Sequence, residues 1–263
     1  MKVLVLMGSP RKKDGYHICE QMKDQLNQNE KVEFEYVFLK ALNVEECRGC
    51  DQCFQKGEAY CPMQDDIKQL KEKLVHADGI IFVSPVYAYQ VTGTFKKVID
   101  RLAYLFHRPE LVGKPALTVV TTGGGGSKAV TKYLKMTACG WGCNLVGKIE
   151  VISSMYFEDN EKNSFYRLKY YYKSTQKINT ATMKFLATIK SNTLPSPSFY
   201  NIYMFNGLKS KTLTSQADYK FWESRGWLEA NYYYEGKLNP LKRLFGYFLD
   251  CLIKSVWKNM LKE

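Results

Sequence analysis

Five strand-like segments separated by amphipathic stretches organise the first 150 residues. Val3–Met7 is continuously apolar and stops at Gly8-Ser9-Pro10, the pattern of a strand buried on both faces that ends in a turn. Val32–Leu39, Gly79–Pro85, Ala116–Thr122 and Asn144–Ile152 read as four further strands. The stretches between them carry helical spacing. A helix is predicted over Tyr16–Gln28, and a second opens after Asp65-Asp66 with Ile67, Leu70, Leu74 and Val75 on one face; acidic residues suit the positive end of a helix dipole. Thr94–Phe106, with Phe95, Val98, Ile99, Leu102 and Leu105 aligned, and Lys128–Thr137 complete the set. Alternating strands and helices predict an α/β fold, a doubly wound parallel sheet of five strands with right-handed crossovers and helices on both faces. Ligands of such sheets sit beyond the carboxyl ends of the strands. Three of those ends are marked by unusual loops: Gly8–Gly15, Ser84–Gly93 and Thr121–Ser127.

The pattern changes beyond about residue 155, which divides a 1–155 ligand-binding domain from a 156–263 helical extension. Residues 160–192 predict a long helix, Pro195 and Pro197 interrupt it, and residues 199–234 are dense in Tyr, Phe and Trp. A segment so aromatic is not a disordered tail, and it is expected to pack on the core or on a second subunit. After Asn239-Pro240, the residues Leu241, Leu244, Phe245, Phe248, Leu252, Val256 and Met260 recur at helical spacing, while Lys242, Asp250, Lys254, Lys258 and Lys262 fall elsewhere. Residues 239–263 therefore predict an amphipathic helix with a basic face. Packing or dimerisation is the plain expectation for it, and contact with an anionic membrane surface is the sharper one.

Charge sharpens this division. The net charge is +12; residues 1–150 hold 21 Lys/Arg against 17 Asp/Glu, whereas residues 151–263 hold 17 against 9, so the extension is the more basic part. No zinc-finger, helix-turn-helix or RNP motif accompanies the charge, and nucleic acid is not expected as a partner. The first apolar run has five residues, short of the roughly 7–15 of a signal-peptide core, and no stretch reaches the roughly 17–25 apolar residues of a membrane span. A cytoplasmic protein is expected, peripheral at most to the inner face of the membrane.

Each marked loop suits a different part of one ligand. Gly8-Ser9-Pro10-Arg11-Lys12-Lys13-Asp14-Gly15 joins a hydroxyl, three cations and backbone amides ahead of a helix, a combination fitted to phosphate, although a solvated basic turn has the same composition. Ser84-Pro85-Val86-Tyr87-Ala88-Tyr89 offers stiff backbone and two rings on which a planar group can lie, and rim aromatics are its plain alternative. Four consecutive glycines after Thr122 let backbone approach a ligand closely, as they would in any flexible surface loop.

Half of the eight cysteines fall within fifteen residues, as Cys47-x2-Cys50-x2-Cys53-x7-Cys61. Thiolates two residues apart converge on a soft metal centre, and compact runs of this kind hold iron–sulfur clusters. Eight residues from Cys53 to Cys61 would span roughly 26–29 Å if extended, so the loop must fold back, and Gly57 can supply the turn. A cluster, a structural zinc and free or reversibly oxidised thiols all remain open on spacing. Cys19, Cys139, Cys143 and Cys251 read as packing residues, and His17, His76 and His107 are isolated, with no role assigned.

Taken in order, Gly8-Ser9-Pro10-Arg11, Cys47-x-Gly49-Cys50-x2-Cys53, Cys61-x3-Asp65-Asp66, Pro85-Val86-Tyr87 and Thr92-Gly93-x2-Lys96-x2-Ile99-Asp100-Arg101 resemble the NADPH-dependent FMN reductase family, and the cysteine run is similar to its iron–sulfur flavoprotein branch. The resemblance covers about residues 1–150. It implies a flavodoxin-like fold, FMN at the carboxyl edge of the sheet, and a homodimer or homotetramer that completes the site. Ser9, Arg11, Lys13, Gly15 and Tyr16 would meet the FMN phosphate; Pro85, Val86, Tyr87 and Ala88 would line the isoalloxazine ring, and Thr122, Gly123 and Gly124 its other edge. Cys47, Cys50, Cys53 and Cys61 would hold a 4Fe-4S cluster. Where the family often places Gly-Asn before Ser or Thr, this chain has Asp14-Gly15-Tyr16, losing one hydroxyl and gaining a carboxylate, with Lys12 or Lys13 as compensation. The implied activity is electron transfer from NADPH or NADH, or from a reduced ferredoxin, through FMN to a quinone, nitroaromatic or flavin, with the cluster adding a one-electron step. A non-enzymatic carrier of flavodoxin type is the alternative.

Overall fold

A computed structural model describes residues 1–28, 30–157, 165–191, 193–234 and 238–260, the last four of these in backbone only. The five predicted strands form β1 (Lys2–Met7), β2 (Glu33–Phe38), β3 (Gly79–Pro85), β4 (Pro115–Thr122) and β5 (Asn144–Ile152). All pair in parallel, in the order β2-β1-β3-β4-β5. Strands buried on both faces explain the unbroken apolar runs: Val3 to Met7 are fully buried, as are Ile80 to Phe82.

Alternation along each strand sends residues to two separate cores. Leu4, Leu6, Ile80, Phe82, Ala116 and Val120 face the helices Ile67–His76, Gly93–Arg101 and Ser127–Gly140. Val3, Val5, Met7, Ile81, Val83, Leu117 and Val119 face the helix Asp14–Asn27 and the long helix Phe165–Lys190. The long helix, read from the sequence as the start of an extension, thus covers the sheet with Ile178, Phe185 and Leu186. It lies so near that a Cβ on Gly79 would come within 2.6 Å of the Phe185 ring. Residues 160–164 and 192 of the predicted span lie outside the described residues. The predicted Thr94–Phe106 helix is α-helical only to Arg101 and continues as a 3-10 turn over Ala103–Phe106.

Beyond Lys190 the chain builds a third, smaller core. The helices Phe199–Lys209 and Gln216–Ser224 and the segment to Tyr233 gather Ile202, Phe205, Leu208, Trp222, Trp227, Tyr232 and Tyr233 around one another. Trp222 Nε1 donates to the His107 carbonyl at 2.7 Å, so this core is tied to the α/β unit. The last helix, Pro240–Met260, docks Phe245 on Phe199 with ring centres 5.3 Å apart and pairs Asp250 with Lys209 at 2.7 Å. Much of the apolar stripe expected in this helix faces outward: Leu241, Leu244, Phe248, Leu252 and Val256 are exposed, as is Tyr247 outside the stripe. The side chains of Lys258, Met260 and Lys262 lie outside the described residues. Among the described residues no helix is long and apolar enough to cross a membrane.

Candidate functional site at the carboxyl edge of the sheet

β1, β3 and β4 are neighbours, so the three marked loops lie side by side. Thr92 joins two of them. Its hydroxyl donates to the Gly8 carbonyl at 2.9 Å and accepts from the Phe95 amide at 3.3 Å, capping the helix Gly93–Arg101, as threonine does at helix starts. The Gly8 amide donates to the Val83 carbonyl at 2.8 Å. A Cβ on Gly8 would stand 2.8 Å from the Phe95 ring and 2.9 Å from the Val83 carbonyl, and one on Gly15 would stand 2.7 Å from the Val83 side chain. The first loop can lie this close to β3 only because both positions lack a side chain.

Arg11, Lys12 and Lys13 are exposed at this point, while Ser9, Gly15 and Tyr16 are half-buried. The Ser9 hydroxyl accepts from the Arg11 amide at 3.2 Å, shaping a turn. No side chain caps the helix that Asp14 opens, so its first amides face outward for an anion. Lys12 stands over the Tyr16 ring, 5.4 Å from its centre.

In the second loop the Val86 amide donates to Thr121 at 2.8 Å, and Tyr87 and Gln90 exchange two backbone bonds of 2.9 Å. This tight turn forces Ala88 and Tyr89 to φ of 47° and 61°, a conformation that costs non-glycine residues free energy and concentrates at functional sites. Pro85 and Val86 are half-buried, and Tyr87, Ala88 and Tyr89 are exposed. Across the edge, Thr122 Oγ1 donates to the Gly125 carbonyl at 2.7 Å and accepts from the Gly124 amide at 3.1 Å. Positions 93, 123 and 124 open onto free space: nothing lies within 4 Å of where their Cβ atoms would be. Cations, an uncapped helix start, bare glycine backbone and exposed tyrosines together fit a flat, phosphorylated group such as FMN.

The cysteine loop follows β2 and borders a cavity of about 930 Å³ lined by Cys47, Cys50, Cys53 and Cys61 together with Asp65, Arg101 and Tyr104. Its four thiols are free, Cys47 and Cys50 exposed, Cys53 and Cys61 half-buried. Burial, with the nearby thiols of Cys61 and Cys47, pushes the Cys53 thiol up. Among the described residues no three His, Cys, Asp or Glu side chains are gathered as a metal would require. The donor set nevertheless suits a soft metal centre: four sulfurs in one loop beside an open cavity.

Two buried ion pairs fasten this loop. Arg101 reaches the Asp65 carboxylate with both terminal nitrogens, the Glu45 carbonyl at 3.0 Å and Cys61 Sγ at 3.7 Å. Asp65 also accepts from the amides of Glu45 at 2.8 Å and Ile67 at 3.2 Å. Burial alone would raise its carboxyl, but Arg101 and the two amides outweigh it and hold the group below its ordinary value. The second pair, Arg108 with Asp218, holds the middle of the loop, since Arg108 also donates to the Cys53 carbonyl and to Glu58 at 3.3 Å. Sequence reasoning named none of the Asp218, Arg108, Ser215 and His107 contacts, because their partners lie about 50 to 160 residues away in the chain. Thr92, Asp65 and Arg101 stood inside the recognised motifs, but only as pattern.

A five-stranded parallel sheet with loops of this chemistry on its carboxyl edge defines a flavodoxin-like oxidoreductase fold. The sequence pattern of NADPH-dependent FMN reductase matches residues 1–158, more than half the chain, and the protein belongs to that family. An iron-sulfur flavoprotein of Archaeoglobus fulgidus is 28% identical over 236 residues, covering 87% of this chain and 100% of that protein. One from Clostridioides difficile is 28% identical over 237 residues, 86% of this chain and 99% of the relative. A second Archaeoglobus fulgidus iron-sulfur flavoprotein is 38% identical over 101 residues, and there the chain spans about half of the relative, 48%. Among solved structures, the apo form of an NADH:FMN oxidoreductase aligns with TM-score 0.52 at 18% identity over 73% of this chain and 91% of that one. The NAD(P)H:acceptor oxidoreductase FerB of Paracoccus denitrificans aligns with TM-score 0.51 at 18% identity over 72% and 97%. These two share the fold.

Proposed function

We propose that this oxidoreductase takes electrons from NADPH or NADH, with a reduced ferredoxin as alternative donor, and passes them through FMN to a quinone, a nitroaromatic, a flavin or a similar acceptor. When bound, FMN supplies both hydride and single-electron transfer. Ser9, Arg11, Lys13 and the backbone at Gly15 and Tyr16 hold its phosphate; Pro85, Val86, Tyr87 and Ala88 line one side of the ring, and Thr122, Gly123 and Gly124 the other. The observation that carries this reading is the convergence of three loops, basic, aromatic and bare-backboned, on adjacent strand ends. A flavin spectrum in the purified protein, or its appearance on adding FMN, together with steady NADPH or NADH oxidation, is the expected result. A chain that is colourless once unbound FMN is removed overturns the reading; one that retains FMN without turnover is the non-enzymatic carrier.

Cys47, Cys50, Cys53 and Cys61 hold a 4Fe-4S cluster in this proposal, supported by the names of the full-length relatives and by the donor set. Such a cluster supplies single-electron transfer between donor or acceptor and flavin. Iron and acid-labile sulfide analysis after anaerobic purification tests it, and zinc without iron would replace it with a structural site. In functional terms the chain divides into residues 1–155, which bind FMN, and 156–263, which cover, tether and present that unit. A homodimer or homotetramer shares the carboxyl edge. The exposed apolar face of the helix Pro240–Met260, flanked by exposed Arg243 and Lys254, lies against an anionic membrane surface, where membrane quinones are met. Flotation with anionic liposomes that is unchanged by deleting residues 239–263 removes that part.

A further inference from the structure

The loop that carries the cysteines has little structure of its own. Between Asp51 and Cys61 it makes one helical turn, Gln52–Gln55, entered through Asp51 at φ 62°, and one 3-10 turn entered through Gly57 at φ 114°. A single turn is below the length at which a helix sustains itself. Cys53 and Phe54 pack on the core beside the sheet, and polar restraint on this segment is added from the C-terminal region. Ser215 Oγ donates to the Phe54 carbonyl at 2.7 Å while accepting from the Asp218 amide at 3.2 Å, so the helix cap is also a hand on the loop. Asp218 is fully buried and holds Arg108 with one oxygen and His107 Nδ1 with the other, at 2.6 Å. Arg108, itself almost fully buried, donates to the Cys53 carbonyl and pairs with Glu58, and the His107 ring lies on Phe54 with centres 4.2 Å apart. Glu58 reaches on to Lys71 at 3.9 Å.

The contacts from this network that reach the loop all end on Cys53, Phe54 or Glu58, in the stretch that runs from the third cysteine toward the fourth. A fully buried carboxylate placed to orient an arginine, which in turn holds a ligand residue by its backbone, is the arrangement of an outer shell around a metal loop. We infer that the C-terminal extension is a clamp for the cysteine loop: Asp218 acting through Arg108, and Ser215 acting directly, fix the carbonyls of Cys53 and Phe54 and so set how Cys53 stands against Cys47, Cys50 and Cys61. Asp218, Arg108 and Ser215 are positioning residues. The inference rests on the metal-holding reading of the loop for its purpose, but the restraint itself is independent of it.

Two measurements on the full-length protein separate the parts. With metal chelated, hydrogen exchange of the amides of residues 51–60 is compared among wild type, Asp218→Asn, Ser215→Ala and Asp250→Asn; the last breaks an ion pair of the extension that does not touch the loop. Asp218→Asn is expected to speed exchange of these amides by at least about tenfold, as loss of a local restraint does. Ser215→Ala should do so to a smaller degree, with Asp250→Asn unchanged. After anaerobic reconstitution, iron and sulfide per chain are then measured beside FMN per chain. Loss of the clamp lowers iron in Asp218→Asn while FMN holds, whereas general destabilisation lowers both. Unchanged exchange in both clamp variants, or equal changes in Asp250→Asn, overturns the inference. Wild type that takes up no iron but shows the expected exchange pattern refutes the metal reading and leaves the clamp standing.

Discussion

Replacing Asp65 by Asn tests how the two ends of the cysteine loop are held. Asp65 and Arg101 side chains are 1% and 3% exposed, and the carboxylate accepts from both guanidinium ends and from two amides. Asparagine keeps the shape, retains one acceptor oxygen, and turns an NH2 group toward a buried guanidinium. Leaving one member of a buried pair uncompensated costs about 3–5 kcal/mol. Since each kcal/mol moves the midpoint of a chain of this size by roughly 2–4 °C, a fall in Tm of roughly 6–20 °C is expected at pH 7. Thermal and urea unfolding of the FMN-loaded protein give the measurement. The pH dependence supplies a second signature. Because the native carboxyl is held below its ordinary value, the native state binds fewer protons than the unfolded chain, and stability rises with pH across that window. The contribution is complete above the unfolded value of about 3.9 and disappears as acid titrates the native carboxyl; in Asp65→Asn that part of the acid limb is flat. Combining Asp65→Leu with Arg101→Met removes both charges and should cost less than Asp65→Asn alone, because apolar substitutes of similar volume are tolerated where a lone charge is not. A loss below about 1 kcal/mol in Asp65→Asn, the value of an exposed pair, would show that Asp65 and Arg101 are solvated and that the loop is held elsewhere.

Gly8→Ala places a methyl 2.8 Å from Phe95 and 2.9 Å from the Val83 carbonyl; overpacking costs about 1–3 kcal/mol, and FMN retention in equilibrium dialysis should fall, whereas wild-type retention and stability would show that β1 does not end this close to β3. Burial pushes the Tyr36, Tyr232 and Tyr233 hydroxyls well above the ordinary tyrosine range, and Tyr234 up to about 12. In alkaline absorbance titration these four should stay protonated while exposed tyrosines ionise near pH ~10. Their raised native values mean stability that is full below about pH 10 and lost as pH rises, so early ionisation of all nineteen tyrosines without unfolding would contradict the packing of residues 232–234. Trp222→Ala empties the centre of the third core and breaks the bond to the His107 carbonyl, with an expected cost of about 3–5 kcal/mol in urea unfolding; a cost under about 1 kcal/mol would mean that this core forms without it.

The sequence determined what local physics can write: five strands from apolar or alternating segments, helices from spacing of three and four, and ligand-bearing ends from glycine, cation and proline clusters. Strand starts and ends fell within a residue of those observed, both in the fully buried β4 and in β2, whose glutamates are not buried. Motif order carried the family as well. The fate of the long helix was settled only in three dimensions. Phe165–Lys190 carries Phe185 and Leu186 in a stretch that also holds many lysines and tyrosines, and nothing local says that it covers Val3, Ile81 and Leu117 rather than another subunit. The same holds for the cysteine loop. Its spacing was legible, but its restraint comes from Arg101 and Asp65, 36 residues apart, and from Arg108 and Asp218, 110 apart. Those ion pairs have no periodicity to betray them. They exist because burial leaves a charge no solvent, so each must find its opposite wherever the fold has placed it.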